Sequence, residues 1–157
     1  MKRYTVGVIA MTLLLGACAG SAAVGPYHSA LSLEDEVRSD GQAFRRIAVI
    51  SHYGDPVVFD APGTARVGER FDARITTYGG GCISEDTIIV SASGLNAEVV
   101  PMQSVRMGVV CTAELRISPR PVSMVFSEPG VATIRVTGRA APGDSLIAVR
   151  RRVQVVH

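Results

Sequence analysis

One lysine, no tryptophan and three cysteines are spread over 157 residues. With Lys2 the only lysine, every other basic side chain is an arginine. The surface therefore carries planar forks suited to carboxylate pairing rather than flexible ammonium groups. No apolar run is long enough to cross a bilayer. The uncharged stretch 4–24 is strongly apolar only as far as Leu15, short of the ~20 residues a span requires. No long segment repeats apolar residues at a period of 3.6, so no long amphipathic helix is expected. No Gly-x-Ser-x-Gly elbow occurs, and no Gly-Lys-Ser/Thr follows a glycine run. His28, His52 and His157 are scattered, without paired ligand spacing. No catalytic residue, metal ligand set or cofactor is expected from these patterns.

What is present begins with an export leader. Lys2 and Arg3 give a positive start, Tyr4 to Leu15 an apolar core, and Gly16 and Ala17 the small residues a peptidase pocket requires. Leu15-Gly16-Ala17-Cys18 resembles the bacterial lipobox. The resemblance implies that residues 1–17 are removed and that Cys18 becomes a lipidated first residue. A diacylglycerol would sit on its sulfur and usually an acyl chain on its amine. Each buried methylene is worth ~0.8 kcal/mol and one chain anchors only marginally, so two or three chains hold a domain on a membrane stably. Ala19, a residue other than Asp after the cysteine, implies by the same resemblance the outer membrane, in a cell that has two. The alternative is an ordinary signal peptide with a chance cysteine.

Without Lys2 and Arg3, the remainder carries fourteen basic and fourteen acidic residues. That balance speaks against a nucleic-acid partner, which requires a basic excess. Cys82 and Cys111 remain as an even pair in an exported chain, where disulfides persist. Closing the thirty-residue loop from 82 to 111 inclusive would contribute roughly 3–4 kcal/mol in the chain-entropy picture. A metal site or a nucleophilic thiol is the alternative, and neither cysteine has a His or second Cys nearby at ligand spacing.

Residues 18–42 read as a lipidated tether, small in composition up to Pro26, with a short helical turn or a solvated linker at 31–38. From residue 43 to 157 the texture is that of one all-β domain. Strands are expected at 44–51, 57–60, 71–78, 87–92, 96–101, 109–117, 122–126, 132–137 and 146–156, separated by Gly, Pro and Asp turns. Phe71 to Thr76 alternates cleanly between apolar and polar, the mark of a strand with one wet face. Pro119-Arg120-Pro121 is expected to end the strand that carries Cys111. About eight short strands of this kind suit two packed antiparallel sheets.

Phe126, then Pro129-Gly130, then alternating Ala132, Ile134 and Val136 resembles the late strands of bacterial immunoglobulin-like β-sandwich modules. The chain departs from that family in lacking a tryptophan against the disulfide. Ala132 stands where a corner tyrosine would, and the cysteine pair does not join the usual strands.

Tyr78-Gly79-Gly80-Gly81-Cys82 is the most unusual internal segment, and Glu85-Asp86 lies just beyond it. Glycines free to take positive φ suit a ligand-cradling loop, or a tight strand exit that lets Cys82 reach Cys111. Tyr78, Gly79, Gly80, Gly81, Glu85 and Asp86 are the candidate binding loop. Glu85-Asp86 has too few oxygen donors at loop spacing for calcium and is expected as a solvated turn. Arg150-Arg151-Arg152 offers contact with anionic lipid or an acidic partner, or keeps an edge strand from aggregating. The expected function is a lipid-anchored, non-enzymatic envelope module that contacts another envelope component. The alternatives are a small envelope enzyme with a free thiol at Cys82, or an accessory subunit of a transport or assembly complex.

Overall fold

The computed structural model describes residues 43–157. The leader, Cys18, the tether and the turn at 31–38 lie outside the described residues. The described chain is all-β, with ten strands: β1 (Ala43–Ile47), β2 (Val49–His52), β3 (Phe59–Asp60), β4 (Thr64–Arg66), β5 (Arg70–Gly79), β6 (Ile83–Ser93), β7 (Asn96–Arg106), β8 (Arg116–Val125), β9 (Gly130–Ala141) and β10 (Ser145–Val156). They form one continuous, curled hydrogen-bonded network. The expected all-antiparallel pairing is corrected at three places: β7 with β9, β2 with β9, and β4 with β10 run parallel.

The reason for the parallel pairs is a fork. β7 and β9 lie side by side from Asn96↔Thr133 to Val99↔Val136, then part. The segment 43–52 fills the gap. β1 pairs antiparallel with Ile47 opposite Met102, and β2 pairs with Arg139, Ala140 and Ala141 of β9. Ala48 sits in the crotch, fully buried; its N–H donates to the Pro101 carbonyl (2.8 Å) and its carbonyl accepts from the Arg139 N–H (2.9 Å). This explains why the single expected strand 44–51 is two strands. The chain changes partner at residue 48, and each partner takes its hydrogen bonds from a different side. Pro101, which has no N–H to give, stands where β7 loses β9 as a neighbour.

Gly138, expected in a loop, lies within β9, which runs on to Ala141. Its lack of a side chain is what lets β2 settle. A Cβ there would stand 2.5 Å from Ile50 Cδ1 and 2.7 Å from Ile50 Cγ2. Ile50 is itself fully buried and belongs to the main core.

The curl brings Phe71, Ile75, Val122 and Met124 of β5 and β8 against Val99, Ile134, Val136, Val153 and Val155 of β7, β9 and β10. Phe126, just past β8, is fully buried, with its ring 5.8 Å edge-on from Phe71. β5 keeps the expected alternation, with Phe71, Ala73 and Ile75 buried and Asp72 and Arg74 exposed. The strands expected at 87–92 and 96–101 pair as a hairpin around Gly94 and are longer, 83–93 and 96–106.

Two further expectations are corrected. Residues 107–115 are not a strand but the loop from β7 to β8, and Pro119 and Pro121 lie inside β8 rather than ending it. The prolines fit because β8 pairs only with β5, with Thr76 opposite Pro119 and Arg74 opposite Pro121. A proline two residues from another keeps its donor-less nitrogen on the same, unpaired edge. The charged edge reading of Arg150–Arg152 fits β10. Along Ser145–Val153 that strand pairs only with β9, and all three arginines are exposed.

Substituting Gly138→Ala is expected to destabilise the domain by about 1–3 kcal/mol in chemical denaturation, through overpacking against Ile50. Ile50→Ala should cost less in the Gly138→Ala background than alone, because the two side chains compete for one volume.

Candidate functional site

The end of the sheet that carries Ala43 gathers most of the residues singled out in the sequence. β1 meets β7 there, with Ala43 opposite Arg106. The β5–β6 turn is closed by reciprocal bonds between Gly80 and Ile83, at 3.0 and 2.9 Å. Gly80 and Gly81 take φ of +116° and +58°, values that side chains rarely adopt. Their bare Cα atoms also make room for the 107–115 loop. A Cβ at Gly81 would stand 2.5 Å from the Thr112 carbonyl oxygen, and one at Gly80 would collide with the Glu114 carbonyl. Cys82 and Cys111 are joined as a disulfide, Cα to Cα 5.1 Å apart, and the Cys82 carbonyl accepts from Arg106 N–H (3.0 Å). The glycines thus form the bed on which the 107–115 loop is strapped. The enzymatic alternative expects a free thiol at Cys82, and that sulfur is bonded to Cys111.

The strap is the apolar part of this end. Val110 is wholly exposed, and Met107, Val109, Leu115 and Ile117 are each about half exposed, at 49–59%. Five large aliphatic side chains facing water within eleven residues form a patch of a kind that soluble domains use for contact. Sequence reasoning missed it by reading Val109-Val110 as strand. The available signal was the lack of alternation in Val109-Val110-Cys111 after Gly108.

Glu85 and Asp86 are not a solvated turn. They lie in β6 at a bulge, where the register against β7 shifts between Glu85 and Ile88. The Asp86 carboxylate is almost wholly buried. It accepts from Arg45 Nε at 2.9 Å and from the Thr87 N–H at 2.6 Å, while Arg45 Nη2 also donates to Thr87 Oγ1 at 2.7 Å. A bulge supplies the extra residue that turns this carboxylate toward β1. Tyr78 is buried and stacks on His52, ring centroids 5.5 Å apart. A cavity of about 20 Å³ beside it, lined by Thr77, Tyr78, Gln103 and Ser118 among others, has room for one water.

The second feature is a seam. β6 pairs only with β7 and β8 only with β5, so each keeps one free edge, and the curl brings these two edges together. They do not pair. Between them lies a cleft of about 460 Å³ walled by Ile88 and Val90 on one side and Pro119, Pro121 and Ser123 on the other. Arg120 spans its floor. Its guanidinium is buried, donates from Nη1 to the Met102 carbonyl (2.9 Å) and from Nη2 to the Asp86 carbonyl, and lies 3.5 Å from the Glu85 carboxylate. Burial pulls its pKa below the ordinary guanidinium value, while Glu85 and Asp86 push it back up. The arginine expected at a strand's end is therefore the peg that fixes the width of the seam.

Among the described residues, no three His, Cys, Asp or Glu side chains gather as a metal site, and no helix is long and apolar enough to cross a membrane. No protein family, curated protein or solved structure matches the chain.

Replacing both Cys82 and Cys111 by serine is expected to cost about 3–4 kcal/mol in urea unfolding. The same change should make the 107–115 strap the first site of limited proteolysis. An unchanged cleavage pattern would mean that the glycine bed alone holds the strap.

Proposed function

We propose that this chain is a bacterial lipoprotein, anchored through lipid on Cys18. Its β domain is a non-enzymatic module that binds another component of the cell envelope. The anchor is supported by Leu15-Gly16-Ala17-Cys18 behind a charged start and apolar core. By Ala19, the anchored protein belongs to the outer membrane if the cell has two. In this reading the curled sheet is an immunoglobulin-like sandwich in outline, with β5 and β8 as one layer and β7, β9 and β10 as the other.

The observation that carries the binding role is the seam between β6 and β8. Two sheet edges approach and stay apart, and the reason lies in the sequence. Pro119 and Pro121 deprive β8 of donors, and Arg120 holds the spacing. The free edge of β6 is left able to take an added strand, with Ile88 and Val90 on the cleft wall to receive alternate apolar side chains. Main-chain bonds then give affinity and the wall gives selectivity, the general pattern of strand addition. The chemistry fitted to it is an extended, weakly polar protein segment.

Two measurements test this. The peptide running from Cys18 to Arg38, released by trypsin, should carry the mass of a diacylglycerol and an acyl chain, and Cys18→Ser should abolish both the lipid and leader removal. A photo-crosslinking residue at Pro121 should capture an envelope protein from intact cells, whereas the same probe at Val131, exposed elsewhere on β9, should not. Capture of the same protein from both positions, or from neither, would sink the seam as the binding surface.

A further inference from the structure

We propose that the disulfide-held strap 107–117 is a second membrane contact, which sets the domain end-on against the same lipid surface that holds Cys18. This rests on the anchored reading above, because the tether is what brings that surface near.

Three observations point to lipid rather than to a protein partner. The first is chemical. The exposed side chains Met107, Val109, Val110, Leu115 and Ile117 are aliphatic, with exposed arginines where the loop leaves β7 and enters β8, Arg106 and Arg116. Arg106 has no ion-pair partner among the described residues, while Arg116 lies 3.3 Å from Glu114. Aliphatic groups at a tip with arginines behind them match a bilayer surface. The tip reaches the acyl boundary, and the long cationic side chains stay level with anionic headgroups.

The second is positional. Ala43, where the tether joins the domain, stands directly opposite Arg106, at the base of the strap. The 24 residues 19–42 therefore join the domain at the apolar end. Such a segment reaches at most about 80 Å, so the strap is always held near the anchored surface. A contact of only modest affinity is sufficient under those conditions, because tethering makes it intramolecular.

The third is rigidity. The disulfide and the two φ-positive glycines fix the strap on its bed, so little conformational entropy is lost when it enters the interface.

The absence of tryptophan from the chain supplies the assay. In the mature chain from residue 18, with Cys18→Ser so that no lipid is attached, Val110→Trp is a single fluorophore on a wholly exposed position. With vesicles of phosphatidylethanolamine and phosphatidylglycerol, its emission should shift to the blue and be quenched by brominated acyl chains. Val125→Trp, exposed at the opposite end of β8, should show neither. Without either tryptophan, Val109→Asp with Val110→Asp should weaken co-sedimentation with these vesicles by about tenfold or more, and Arg106→Gln by roughly fivefold. Phosphatidylcholine vesicles should bind more weakly than the anionic ones. No blue shift, or vesicle binding that the aspartates leave intact, overturns the proposal. So does loss of a protein crosslink in the aspartate variant when vesicles never bind, which would assign the patch to a protein partner. Because the assay uses unlipidated chain, vesicle binding with an unmodified Cys18 in cells would sink the anchor and leave the strap standing.

Discussion

The fold hangs on how the backbone groups of one short segment are satisfied. Buried N–H and C=O groups must be paired, and in 43–52 they are paired to two strands that have already separated. β7 and β9 begin as parallel neighbours and diverge, and Ala48 bonds to both sides of the divergence. If this wedge were absent, β7 and β9 would each carry an unpaired buried edge beyond Val99 and Val136. The wedge in turn needs Gly138, since any side chain there would meet Ile50. A single glycine and a single alanine therefore decide whether the two arms of the sheet stay in one hydrogen-bonded network. The bridge from Val49 to Tyr78 then carries that network on to β5 and β8.

The same curl creates a second constraint at its other margin. A sheet that bends round on itself brings its two ends together, and the simplest outcome would be a closed barrel with no edges. Here closure is blocked chemically. Pro119 and Pro121 remove two donors from β8, and the Arg120 guanidinium takes the Asp86 carbonyl of β6 and the Met102 carbonyl of β7. Burying that guanidinium is costly, as its lowered pKa records, and only part of the cost is offset by Glu85 and Asp86. An apolar side chain would pack into the same place without it. A charged peg is the better device where a fixed gap, rather than maximal stability, is what the structure maintains.

Strand content was legible from the residues wherever alternation and a turn coincided. Phe71 to Tyr78, the Gly94 hairpin and the last two strands follow from period-2 patterning and Pro/Gly punctuation. The Cys82–Cys111 pairing followed from the even count. What could not be read was anything that depends on which edge a residue faces. Proline normally ends a strand, so Pro119 and Pro121 read as a terminus until β8 is known to have only one partner. Two valines beside Cys111 read as strand because β-branched residues favour strands. Only the collision partners of Gly80 and Gly81 reveal that the chain there crosses over the β5–β6 turn. Asp86 read as a solvated acid because its partner, Arg45, is 41 residues away in the sequence.

Taken together, these features give the domain a direction. The sheet end with Ala43, the strap and the glycine bed is apolar at its tip and fixed by a covalent bond. The seam begins beyond it, at Glu85 and Arg120, and runs along β6 and β8 away from that end. Strands rise about 3.3 Å per residue, so Pro121, five residues past Arg116, lies roughly 15 Å along β8 from the strap's foot. A domain seated on its strap would hold the seam above the headgroups and roughly upright, open to a partner approaching from the side. A tether alone would leave the seam's orientation random, and a seated strap without a tether would exchange with solution. In the proposed arrangement each attachment would supply what the other lacks: Cys18 the residence, the strap the orientation in which an edge of β6 faces a passing chain.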